Sequence, residues 1–381
     1  MLAALALAEF LGLTLWFSAT AAAPAIVSEL SLASGQTAWL TMAVQAGFVC
    51  GTLFSALLNL PDVLNARWLF ALGCATGAAA NAAVVRAGDP TEMIVLRFIT
   101  GVALAWIYPP GMKIAASWFT RQRGAALGIV VGALTVGSAF PHLLRSVVVE
   151  VPWRILMLAA SACALGGGLL VLGVVRDGPH LSITAPFDPR AIGRVFANRD
   201  VRLATFGYLG HMWELYAMWT WIAAFAAVGH GARTGSLVAF VAIASGAAGC
   251  VGAGFIADRL GKARVAAWAM IVSAGCSAVA GFAFGRPLWV LCTLAVVWGV
   301  AIVADSALFS ALIAEHSLRE YVGTALTVQM CSGFLLTLAT IRLLPVVAAA
   351  VGWQWVFLLL VPGPVLGTLA MLKLEGTRES A

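Results

Sequence analysis

The chain has 381 residues, of which 62% are hydrophobic and 10% charged, with a formal net charge of +6. Soluble domains carry about 25% charged and about 45–50% apolar residues, so this composition excludes an ordinary soluble enzyme and points to an integral membrane protein. The positive balance does not indicate nucleic acid, because the basic residues sit in short loops between apolar runs, where membrane topology accounts for them. The seven cysteines fall singly inside apolar runs. No CxxC or Cys/His spacing is present, so no disulfide framework, metal site or cofactor is expected.

A spanning helix needs ~20 mostly apolar residues. Breaking the chain at charged, proline and glycine clusters predicts twelve: 2–27, 37–60, 68–87, 92–117, 125–149, 153–175, 202–228, 234–257, 265–284, 288–314, 322–349 and 353–373. The first carries Glu9, lacks a basic n-region and is too long for a signal-peptide core. The fourth contains Arg97, and Tyr108-Pro109-Pro110 predicts a kink there, because proline removes a backbone donor. In the fifth, Gly128, Gly132 and Gly137 allow close helix approach. Its outer part holds Pro141, His142 and Arg145. With Arg342 of the eleventh, these read as a basic vestibule or as side chains snorkelling to the interface. The loop 177–201 is rich in Pro and Arg and reads as a linker between two six-helix bundles, 1–176 and 202–381.

The seventh run, RLATFGYLGHMWELYAMWTWIAAFAAV, carries His211 and Glu214 near its middle. A charge at a helix centre costs roughly 2.5–3.5 kcal/mol on insertion scales, so this side of the helix is expected to face protein or a cavity. The two residues are spaced i, i+3 and share a face, with Tyr208 three residues earlier. A carboxylate beside an imidazole can hold or relay a proton. Glu214 lies ~18 Å along its helix from Arg202, and Asp305 of the tenth run ~25 Å from Leu288.

Charge placement fixes an orientation. With the N-terminus inside, fifteen loop and tail Lys and Arg fall inside and five outside, which predicts both termini in the cytoplasm and suits a bacterial inner membrane. An internal repeat supports the 6+6 division: RGAALGIVVGALTVGSAFPHLL then PWRILML, against YVGTALTVQMCSGFLLTLATIRLL then GWQWVFLLL, with Gly124 and Gly323 199 residues apart. A same-orientation repeat of half the chain implies two similarly folded halves.

After the eighth run the sequence reads GFIADRLGKAR, from Gly254 to Arg264. This resembles the loop signature of the major facilitator superfamily. Its counterpart after the second run keeps Gly51, Asp62 and Arg67 but has Ser55 where the Asp falls. RFITG in the fourth run is similar to the family's Arg-x-x-x-Gly element, at Arg97 and Gly101. The resemblance covers the whole chain. It implies an all-α membrane fold of twelve transmembrane helices in two pseudo-symmetric bundles, with helices one, four, seven and ten around a central cavity. It also implies a conformational latch at Gly254, Asp258, Arg259, Gly261, Lys262 and Arg264.

Each of those four helices carries an ionisable residue, giving a candidate substrate and proton site of Glu9, Arg97, His211, Glu214 and Asp305. The expected function is secondary active transport of a small molecule, coupled to protons, by a monomer in the lipid bilayer without a nucleic-acid partner. The alternative is a transport-inactive sensor or receptor on the same scaffold. No HExxH, GxSxG or Cys/His cluster supports a membrane enzyme.

Overall fold

The computed structural model describes residues 1–30, 32, 34–119, 123–148, 152–180 and 187–379. Among these, the chain is helical, with eleven helical stretches long and apolar enough to cross a membrane. In chain order we label them α1 (Leu2–Leu30), α2 (Gln36–Leu57), α3 (Ala66–Arg86), α4 (Pro90–Trp118), α5 (Gly124–Val147) and α6 (Trp153–Gly173). The seventh stretch, Arg199–Leu260, is 62 residues long. A straight helix of that length would reach ~93 Å, against a hydrocarbon core of ~30 Å. It turns at Gly231, whose φ of +79° and ψ of 161° are not helical. A Cβ on Gly235 would meet the Ala223 carbonyl oxygen at 2.3 Å, so the two arms lie back against each other. The stretch is a hairpin of α7 (199–230) and α8 (232–260). The remaining spans are α9 (Lys262–Ala283), α10 (Leu288–His316), α11 (Arg319–Val351) and α12 (Val356–Gly376), giving the twelve crossings read from the sequence.

Three spans are interrupted. The helix in α1 stops at Leu13 and resumes at Ser18, that in α4 stops at Leu104 and resumes at Tyr108, and that in α10 breaks at Asp305. The α4 break falls at the expected Tyr108-Pro109-Pro110. Broken helices free backbone carbonyls, and inside a membrane these persist only where protein groups or a cavity satisfy them.

Glycine sets the closest helix crossings, and the two halves use it alike. On α2 and α4, a Cβ at Gly47 would meet the Phe98 carbonyl oxygen at 2.0 Å, and one at Gly101 the Val44 carbonyl oxygen at 2.1 Å. On α8 and α10, the same atoms at Gly249 and Gly299 would meet the oxygens of Val300 at 2.0 Å and Ala242 at 1.8 Å. Backbones this close leave no room for a side chain. Helices α5 and α8 run together across the middle of the molecule, with Gly132 against Ala247 and Gly128 against Cys250. Helices α2 and α11 meet on the other side, where the rings of Phe48 and Phe334 are 4.4 Å apart.

Beyond residue 187 the linker forms a short turn, Pro189–Ala191, and a short helix, Ile192–Ala197. It docks on the second half of the chain: the Asp188 N–H donates to Thr324 Oγ1 at 2.9 Å, and Asn198 donates to the His316 carbonyl at 2.9 Å. The Asn198 side chain also accepts from the Asp200 N–H at 2.8 Å, capping α7.

Candidate functional site

Arg97 is fully buried in α4. Its guanidinium donates to the carbonyls of Leu15 at 3.2 Å and Trp16 at 2.7 Å, both within the break in α1. It also donates to Asn81 Oδ1 at 2.8 Å, Ser18 Oγ at 3.2 Å and the Leu40 carbonyl at 3.4 Å. Asn81 of α3 passes the network on, donating to the Met157 carbonyl at 2.9 Å and Ser161 Oγ at 3.0 Å on α6. One cation therefore ties α1, α2, α3, α4 and α6 together. Its donors point at fixed backbone and amide oxygens, which is how a permanent charge survives burial.

The second buried cluster spans α7, α9 and α10. His211 Nδ1 lies 2.8 Å from Asp305 Oδ1, both nearly inaccessible, and His211 Nε2 lies 3.1 Å from Ser306 Oγ. Glu214 is held separately. Its carboxylate accepts from Ser273 Oγ at 2.7 Å, Ser277 Oγ at 2.5 Å and Trp298 Nε1 at 2.8 Å. The expected His211–Glu214 pairing is thus divided. One helical turn apart on α7, each residue meets a different neighbour, because α10 presents Asp305 to one and Trp298 to the other. The three partners of Glu214 were not among the residues nominated from sequence as its partners. The signal for two of them was present, since Ser273 and Ser277 are spaced i, i+4 on one face of α9.

Glu9 lies apart from both clusters. It is buried on α1 with both carboxyl oxygens lacking a partner in the protein, and it packs where Gly111 of α4 leaves room: a Cβ there would come to 2.4 Å of Glu9 Oε2. Of the five nominated residues, the structure brings His211 and Asp305 into contact, sets Glu214 one turn from them, and puts Arg97 and Glu9 in the other half.

On the face of the molecule nearer the termini, the loop between α8 and α9 turns at Gly261 with φ +91°, a conformation that favours glycine. Lys262 pairs with Glu315 of α10, and Arg264 with Glu375 of α12 at 2.9 Å. Gly254 faces Gly124 of α5. Asp258 and Arg259 are exposed. In the first half, Lys113 pairs with Asp62 and donates to the Pro61 carbonyl at 2.6 Å.

On the opposite face a cavity of about 430 Å³ opens between the halves. Thr20, Thr41, His142, Thr220 and Ser236 line it among mostly apolar side chains, and no Asp, Glu, Lys or Arg does so among the described residues. His142 is fully buried and does not snorkel. Arg145 instead donates to the Ala21 carbonyl at 2.9 Å, and Arg342 is exposed. Beneath the cavity lies an aromatic layer from both halves: Trp16 stacks on Tyr216 at 5.6 Å, Phe17 meets Trp219 edge-on at 5.8 Å, and Phe48 and Phe334 close its side.

Comparison with known proteins identifies relatives at each level. A family model described as Major Facilitator Superfamily matches residues 5–250. The chain is 26% identical over 167 residues to the MFS-type transporter pytF of Aspergillus terreus (strain NIH 2624 / FGSC A1156), an alignment covering 42% of this chain and 55% of that protein. It is 25% identical over 187 residues to the hexuronate transporter of Escherichia coli (strain K12), covering 48% of this chain and 43% of that one. The chain spans about half the length of the curated relatives it matches. A crystal structure of a point mutant of the nucleoside transporter NupG superposes with a TM-score of 0.71, over 98% of this chain and 99% of that one, at 17% identity. At that identity the likeness is one of fold.

Proposed function

We propose, for a chain that belongs to the Major Facilitator Superfamily, that it moves a small organic solute across a membrane by alternating access and couples that movement to protons. Two bundles, 1–176 and 202–381, joined by the linker 177–201, rock about the aromatic layer at their centre. The observation that carries the reading is the buried cluster on α7, α9 and α10. His211 and Asp305 together hold a proton that either can keep, and Glu214 sits one turn away with three donors arranged around its carboxylate. Protonating Asp305 removes the carboxylate that draws His211, and so loosens α7 from the break in α10. Protonating Glu214 turns an acceptor of three bonds into a group that must also donate, which favours a different arrangement of α9 and α10.

Arg97 is assigned to architecture, since the network around it holds the break in α1 in shape. Glu9, buried with both carboxyl oxygens unpartnered among the described residues, is a further candidate proton carrier. The residues from Gly254 to Arg264 act at the face near the termini. There Lys262 and Arg264 brace α9 against α10 and α12, and the exposed Asp258 and Arg259 engage another conformation. The cytoplasm lies on that side, by the distribution of basic residues. The protein works as a monomer in a bacterial inner membrane.

A sugar acid is a second reading of the substrate, raised by the similarity to a protein named as a hexuronate transporter. The cavity supports it poorly, having no Lys or Arg side chain among the described lining residues to meet a carboxylate.

The test is reconstitution in vesicles, with solute uptake driven by an imposed pH gradient and wild type run beside Glu214→Gln and Asp305→Asn. Uptake that rises with the gradient and becomes gradient-independent in the variants supports coupling at this cluster. A rate that is flat between about pH 5.5 and 8 and unchanged in both variants removes proton coupling. Absence of any solute movement, with solute binding intact, favours a sensor.

A further inference from the structure

The acids and bases of the second half do not line the cavity on the opposite face, so something else must read the solute. The cavity lining and the layer beneath it are related by one helical turn on each contributing helix. Thr20, Thr41, His142 and Thr220 line the cavity. Four residues away, toward the terminal face, lie Trp16, Gln45, Ser138 and Tyr216. Ala223 stands in the same relation to Trp219. A step of four residues is ~6 Å along a helix and keeps the same face, and Trp16, in the break of α1, stacks on Tyr216, which places these side chains one layer below the lining, as the floor of the cavity.

That floor is unusual in its hydrogen bonding. Gln45 is fully buried and neither its amide nitrogen nor its oxygen has a partner in the protein. The Ser138 hydroxyl, both ring nitrogens of His142 and the indole N–H groups of Trp16 and Trp219 are likewise buried and unpartnered. Buried polar groups are ordinarily satisfied, and each left unmade is destabilising. Single orphans occur in many proteins. Five side chains from α1, α2, α5 and α7, four on the floor and His142 one turn above it in the lining, mark a place where a ligand supplies the missing partners.

We infer that Gln45, Ser138 and His142, with the indoles of Trp16 and Trp219, form the solute-recognition site, and that the solute is an uncharged, ring-bearing molecule rich in carbonyl, ether or hydroxyl oxygens. This rests on the transporter reading for its purpose but not for its geometry. The two indoles can only donate, while Gln45, Ser138 and His142 each donate and accept, so a ligand bearing several oxygen acceptors, hydroxyls among them, satisfies the site. No described lining residue offers a permanent charge, so an ion entering the site would lose its hydration without compensation. The rings of Trp16, Phe17 and Tyr216 stack on one another, an aromatic layer to which a ring of the solute would add. The solute and the proton are then handled in different layers, the solute at the floor and the proton around His211, Asp305 and Glu214.

The experiment has two arms on the purified full chain. In the first, without any solute, Gln45→Met, Ser138→Ala and His142→Phe are melted beside wild type. Removing orphaned polar groups should raise the melting temperature, by ~2 °C or more for each of Gln45→Met and His142→Phe. A fall in both means these groups have partners in the empty protein and overturns the site. In the second, the thermal shift is measured with matched pairs differing by one charged group: nicotinamide and nicotinate, uracil and orotate, myo-inositol and its monophosphate. Stabilisation by uncharged members only, with at least a tenfold weaker response in Gln45→Met, supports the class. Stabilisation by charged members only overturns it. If no pair responds, the first arm decides. Variants that melt higher in a protein that moves no solute keep this site and remove the transporter reading. Variants that melt lower in an active transporter do the reverse.

Discussion

Two buried polar clusters sit in the two halves of this molecule, and they solve opposite problems. Around Arg97 the charge is permanent, and carbonyls of Leu15, Trp16 and Leu40 with Asn81 and Ser18 surround it. Around His211 the partners are one carboxylate and one hydroxyl. A guanidinium cannot give up its proton, so its burial requires a full shell of fixed acceptors, and the shell in turn fixes the helices. An imidazole and a carboxylate can neutralise one another, so a sparse shell is tolerated and can rearrange. The first cluster is built to stay; the second, on the proposed reading, to change.

The sharpest way to break this contrast is to remove the permanent charge. Arg97→Leu leaves the Trp16 carbonyl without its donor and the Leu15 carbonyl and Asn81 with only Ser18, and breaking a buried charged network costs about 3–5 kcal/mol. We expect little folded protein by size-exclusion chromatography in detergent. A well-folded Arg97→Leu protein that only fails to transport would move Arg97 from architecture into the transport site. Next in size, Gly101→Ala and Gly299→Ala should each cost about 1–3 kcal/mol by overpacking, because the added methyl meets a carbonyl at 2.1 or 1.8 Å. Similar losses of melting temperature in the two are expected, since here the halves are alike.

Asp305→Asn keeps a group that can hydrogen bond to His211, so its effect on stability should be about 1 kcal/mol. Gradient-driven accumulation in vesicles should nevertheless fall at least tenfold while downhill exchange survives. Equal loss of both modes would make the two clusters equivalent after all. The smallest effect is expected at Asp89, which lies outside the spans. It caps α4 by accepting from the N–H groups of Thr91 and Glu92, and these backbone bonds, that of Glu92 first, hold its carboxyl below the usual aspartate range. A depressed folded-state value stabilises above the unfolded value and is lost as pH falls through the folded one. Asp89→Ala should therefore lower the melting temperature slightly at neutral pH and not at all in strong acid.

The outline of the fold was legible because membrane burial writes itself into the sequence. Twelve apolar stretches and the Pro109-Pro110 break in α4 follow from local composition, and the hairpin at Gly231 falls in the gap between the seventh and eighth runs. The site was legible only as a set of residue types. Ionisable residues on four helices stand out against hydrocarbon, yet which of them meet depends on helix rotation. A rotation of less than a quarter turn decides whether Glu214 faces His211's partner or Ser273 and Ser277. Gln45 and Ser138 gave no warning, because neutral polar side chains are common in membrane helices and carry little penalty when paired.

What the sequence determined by itself is therefore the solvent, the number of crossings and the family, since each is fixed by composition along a single helix or by a short contiguous motif. What only the tertiary structure decided is partnership. It set Arg97 against the broken turn of α1, His211 against Asp305, Glu214 among two serines and an indole, and a row of unpartnered donors beneath a cavity. Hydrogen bonds act over about 3 Å, and the helices that bring these groups within that distance are joined by backbone contacts at glycines far apart in the chain.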